Sequence, residues 1–142
     1  MKENLSQDSS DFILETDSIG SGVLGVEEIM NLNFLEKLAT SLGFVETSGM
    51  RELRHQMYVS KRSKEKFSVL HERYVDLARI NLENNLPEGQ ISIILMEAIL
   101  YYENGNITHF KENINTALTY SEYINREVFN GINDIYRKLK KN

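Results

Sequence analysis

The sequence predicts an all-α fold, and three observations carry that prediction. Apolar residues recur at helical spacing from Val26 onward, capping residues punctuate the periodic stretches, and proline occurs once. Abundant Leu, Ile, Glu, Lys and Asn, with no tryptophan, favour long helices over a turn-rich β fold. A chain of 142 residues, 41% apolar and 26% charged, suits one globular domain with a single core. The expected architecture is a small helical bundle or short helical-hairpin array of four to six helices over residues 26–142, preceded by a flexible acidic tail over 1–25.

The tail mixes Ser, Asp, Gly and Gln around two short apolar islands, Phe12-Ile13-Leu14 and Val23-Leu24, a composition that cannot bury enough surface to order alone. Beyond it, Leu32, Leu35, Leu38, Ala39 and Leu42 define a first helix from about Val26 to Leu42, stopped by Gly43 and the apolar Phe44. Thr47 and Ser48 are candidate caps for the next element, which carries Met50, Leu53 and Met57 on one stripe. The run Ser60 to Lys66 has no apolar residue, and Phe67, Leu70, Tyr74 and Leu77 then resume the stripe. Either one long helix passes through this segment, straight or kinked near Ser60 to Ser63 and ending near Asn84 and Asn85, or two helices meet near Ser60 to Ser63; the long helix is the favoured reading.

Pro87 occupies a first helical position, where its missing N–H has no intrahelical partner to lose. From Glu88 to Glu103 the next helix is apolar on nearly every face and must lie at the centre of the fold. Asn104-Gly105-Asn106 supplies a turn; Phe110, Ile114, Ala117, Leu118 and Ser121 mark a further helix, and Val128, Ile132, Ile135 and Leu139 a last one. Glu103 and Lys111 read as solvated charges whose replacement by Gln is silent for folding.

Residues 91–124 resemble a single tetratricopeptide repeat. Ala98, Gly105 and Ala117 fall at its small positions and Tyr101, Ile107, Ile114 and Leu118 at its larger apolar ones, while Phe110 and Glu122 depart from its pattern. The resemblance implies a protein-binding module in which Leu95, Ile99 and Tyr102 line the partner-facing surface. Read from the residues themselves, these three are ordinary core, and that reading is the favoured one. A second segment, Leu38 to Met57, resembles a DNA-binding helix-turn-helix. That resemblance implies Arg51, Arg54 and His55 on a recognition helix, with Lys61, Arg62, Lys64 and Lys66 meeting phosphates.

Catalytic signatures are not legible. The chain has no cysteine, hence no disulfide, thiolate metal site or thiol nucleophile. Glu52 and His55 form one half of a helical di-iron motif with no second half, and His55, His71 and His109 are far apart in sequence. No nucleophile elbow, phosphate-binding loop or dinucleotide fingerprint occurs. Net charge is −5, but residues 51–79 hold eight basic against four acidic residues, which keeps a nucleic-acid partner in view. The acidic stretch Met1 to Asp11 lacks the apolar segment of a secretory leader, and Ser92 and Glu97 interrupt the longest apolar run. A cytoplasmic, non-enzymatic adaptor, chaperone-like subunit or inhibitor with a protein partner is therefore expected, with no metal, cofactor or membrane association. A transcriptional regulator is the alternative.

Overall fold

The computed structural model describes residues 24–60 and 63–140, and all the secondary structure in them is helical. Six helices follow one another: α1 (Val26–Ser41), α2 (Ser48–Val59), α3 (Lys64–Asn81), α4 (Pro87–Glu103), α5 (Ile107–Ile124) and α6 (Arg126–Lys140). Of the acidic tail, residues 1–23 lie outside the described part. Leu24 and Gly25 belong to the fold: Leu24 packs against the core, and the Gly25 N–H donates to Glu28 Oε1 at 2.8 Å.

A capping side chain explains four of the six starts. Side-chain oxygens of Thr47, Ser63, Asn106 and Asn125 accept the backbone N–H of Met50, Lys66, His109 and Val128, satisfying donors that the first helical turns leave open. The ends of α1 and α4 are alike. Gly43 and Gly105 take positive φ, 114° and 80°, and the N–H groups of Phe44 and Asn106 reach back to Ala39 and Tyr101.

The expected long helix over residues 49–84 is two helices. Ser60 closes α2 and Ser63 opens α3, and the two pack against each other. A continuous helix from Ser48 to Asn81 would extend about 50 Å, beyond the reach of a core this size. Its two stripes, Met50-Leu53-Met57 and Phe67-Tyr74-Ala78, are both buried only because the chain breaks between them.

At the centre α4 packs on α5, α1 and α3, and α6 closes against α5 and α1. Ile91, Leu95, Ala98, Ile99 and Leu100 are fully enclosed, as the all-round apolar pattern of α4 requires. Ala98 and Ala117 are both at 0% exposure on the α4–α5 hairpin. Ala98→Leu and Ala117→Leu are each expected to lower stability by about 1–3 kcal/mol, because added methylenes meet a filled core. Urea midpoints equal to wild type for both would show that the two helices do not approach closely.

Candidate functional site

Arg54 on α2 turns inward. Its Nε and Nη2 donate to the two oxygens of Glu103, at the end of α4, at 3.1 and 2.7 Å. Nη2 also reaches Glu36 of α1 at 3.2 Å, and Nη1 reaches Glu46 in the α1–α2 connection at 3.1 Å. Glu46 further accepts the Tyr74 hydroxyl of α3 at 2.6 Å and faces Arg51 at 3.4 Å. The guanidinium thereby joins α2 to α1 and α4, and through Glu46 to α3, with its side chain 17% exposed and that of Glu46 8%. Burial opposes the charge of Arg54, but the bonds and charges of Glu103 and Glu36 outweigh it and raise its pKa above the ordinary arginine value. Burial, with the bond to Glu46, likewise raises the pKa of Tyr74 and holds its phenol protonated.

This arrangement separates the residues that the helix-turn-helix resemblance groups. Arg51 and His55 face outward and line a shallow cavity of about 360 Å³ with Ser48 and Glu52, whereas Arg54 is engaged by three carboxylates. Lys64 and Lys66 are exposed in the first turn of α3, at the opposite end of the α2–α3 pair from Arg51. Lys61 and Arg62 lie outside the described residues. Glu103 is the ion-pair partner of Arg54 and not a solvated charge, a pairing that a separation of 49 residues hides from sequence inspection.

Two of the dispersed histidines come together. Phe67 and His71 of α3, Tyr101 of α4 and His109 of α5 form a row with successive ring centroids 5.3, 4.9 and 5.0 Å apart. His71 Nε2 is buried without a hydrogen bond and lies 3.7 Å from Glu97 Oε1, too far for one to form. Burial and then the proximity of His109 bring His71 down from 6.5 to about 4. Burial raises Glu97 despite opposing contributions from Arg79 and Asn113. Burial, Glu97 and Glu112 push Tyr101 up to about 12. At neutral pH the three rings of His71, Phe67 and Tyr101 therefore pack uncharged. Among the described residues, no three His, Asp or Glu side chains gather as metal ligands would.

The His71 shift has a signed consequence. The fold favours the neutral ring, so its contribution is complete above about pH 6.5 and is lost as pH falls toward about 4. Glu97 acts in the opposite sense, since the fold favours its neutral form and gains as the carboxylate protonates. His71→Gln isolates the histidine: the stability advantage of wild type over the variant is expected to shrink by up to roughly 3 kcal/mol between pH 7 and pH 4. An advantage that does not vary with pH in urea denaturation would contradict it.

Leu95, Ile99 and Tyr102, the partner-facing residues of the repeat resemblance, are 0%, 0% and 3% exposed and carry core packing here. Tyr102 meets Phe110 edge-on at 4.8 Å and donates to Glu28 of α1 at 2.5 Å, so α1 covers this side of α4. The exposed apolar surface is on α1 itself. Val26, Ile29, Met30 and Phe34 are 77%, 44%, 54% and 53% exposed, while Leu32, Leu35 and Ala39 on the opposite side enter the core. Val26, Met30 and Phe34 follow each other at four-residue intervals and so form one stripe.

Among the described residues, no helix is long and apolar enough to cross a membrane. No family model, no curated protein and no solved structure matches this chain.

Proposed function

We propose that this protein is a non-enzymatic, protein-binding helical module, an adaptor, chaperone-like subunit or inhibitor, and that it docks through the outer face of α1. The observation that carries this reading is the stripe Val26, Met30 and Phe34 with the adjoining Ile29, four large apolar side chains in solvent on one helix. Contiguous exposed apolar residues on a folded domain mark interaction surfaces, whereas scattered ones do not. The enclosed polar groups are committed elsewhere: Arg54 to Glu36, Glu46 and Glu103, and the Tyr102 hydroxyl to Glu28.

The test is affinity capture from cells with the wild-type chain and with Met30→Lys combined with Phe34→Lys, after circular dichroism shows equal helicity. Proteins retained by wild type and reduced about tenfold or more by the variant are expected. Identical capture by both chains would remove α1 as the docking face.

A second reading, duplex DNA binding, draws on the outward Arg51 and His55. Changing Lys61, Arg62, Lys64 and Lys66 to Ser would then lower affinity and flatten its salt dependence, as fewer counterions are released. Absence of duplex binding near about 100 mM salt would remove this reading.

A further inference from the structure

Helix α1 is apolar on two sides, one of them against α4 and α6 and the other in solvent. A helix of that kind is stable in water when both sides are covered. We propose that the cover is a second copy of this chain, with the two α1 helices packed antiparallel about a two-fold axis. This rests on the reading of the same face as a protein-docking surface.

A contact between identical copies requires a patch that complements itself, and among the antiparallel registers of the α1 stripe one also matches its flanking charges. When Met30 of one copy is set against Phe34 of the other, both pairs of an antiparallel contact are centred on Leu32. The same centre sets Glu27 of each copy against Lys37 of the other, so apolar and charged pairs are satisfied together. The flanks agree as well. Glu27 and Phe34 are seven residues apart and share one edge of the stripe, and Lys37 Nζ leans over the Phe34 ring, 5.8 Å from its centroid. In an antiparallel pair like edges meet, which brings the ammonium of one copy to the Glu27 carboxylate of the other. Glu27 is exposed for this purpose, whereas its neighbour Glu28 is occupied by the Gly25 N–H and the Tyr102 hydroxyl.

Charge also selects the direction. In a parallel pair unlike edges meet, so the Glu27–Lys37 pairs are lost and the helix dipoles align; the antiparallel pair opposes unlike charges and cancels the dipoles. Four apolar side chains per copy put the contact at the small end of protein interfaces, so the dimer is a reversible one, with a dissociation constant on the order of 10–100 µM.

Sedimentation equilibrium of the full chain from about 5 to 500 µM tests the proposal. Wild type is expected to show a reversible monomer–dimer equilibrium, and Phe34→Lys to remain monomeric throughout. Glu27→Lys is expected to weaken association about tenfold, because two like-charged pairs replace two unlike ones. Adding Lys37→Glu to Glu27→Lys should restore association to within about twofold, a rescue that general damage to α1 cannot produce. A monomeric wild type at the highest concentration, or a dimer indifferent to Phe34→Lys, overturns the proposal. A monomeric wild type whose captured partners still depend on Met30 and Phe34 sinks the second copy alone; loss of both dependences sinks the docking face with it.

Discussion

Arg54→Met is expected to destabilise the fold by about 2–4 kcal/mol, because removing one partner of a buried ion pair leaves charge uncompensated at the cost of its desolvation. Here the charge left behind is threefold. Glu36, Glu46 and Glu103 converge on the one guanidinium, and without it they face one another with only the peripheral Arg51 nearby. The lower part of the range allows for the solvent that reaches Glu36, whose side chain is 32% exposed. Arg51→Met provides the control. Its side chain is 74% exposed, so its single contact with Glu46 is worth at most about 1 kcal/mol. Combining Arg54→Met with Glu46→Gln should recover part of the loss, since the amide still accepts the Tyr74 hydroxyl while removing one like charge. Urea midpoints that fall equally for the Arg54 and Arg51 variants would reduce the cluster to surface decoration.

That cluster also marks where sequence reading stops. The start of α2 was legible because a capping side chain acts three residues from the amide it satisfies, as at Thr47, and the turn at Gly105 because positive φ favours glycine; the caps at Ser63, Asn106 and Asn125 are not among the sequence-predicted ones. The break between α2 and α3 is one of two readings that the sequence leaves open, since a charged run can continue a helix when only local propensity is weighed. What decides it is that both stripes must reach one core. Arg54 carried no local sign of its direction, with Glu36, Glu46 and Glu103 lying 18, 8 and 49 residues away. His71 and His109 meet only because α3 and α5 both pack beside Tyr101. The solvent-facing stripe of α1 was hidden for a different reason: with apolar residues on both sides, periodicity alone does not say which side the core takes. On α4, apolar around its whole circumference, the core reading of Leu95, Ile99 and Tyr102 needed no choice of side, and all three are buried.

Gly89→Ala is expected to cost about 2–3 kcal/mol, at a helical position where the same change ordinarily gains up to about 1 kcal/mol. Gly89 is the third residue of α4, and no positive φ is involved. The obstacle is a close backbone approach: a Cβ there would stand 1.6 Å from the Asn84 carbonyl oxygen and 2.8 Å from its carbon. Asn84 has little room to retreat. On its other side a Cβ at Gly43 would come within 2.5 Å of the Asn84 Cβ, and the Glu83 N–H donates to the Gly43 carbonyl at 3.0 Å. The α3–α4 connection is thus held between the end of α1 and the start of α4, and relief at Gly89 has to displace all three. Two other glycines calibrate the effect. Gly105→Ala meets nothing within 4 Å and should cost only the penalty of its φ of 80°, about 1 kcal/mol. Gly131→Ala, inside α6 with ordinary contact to Leu38 at 3.6 Å, should stabilise by about 0.5–1 kcal/mol. Urea denaturation is expected to rank the variants Gly131→Ala above wild type, then Gly105→Ala, then Gly89→Ala. A Gly89 variant as stable as the Gly131 variant would mean that the connection is not clamped between α1 and α4.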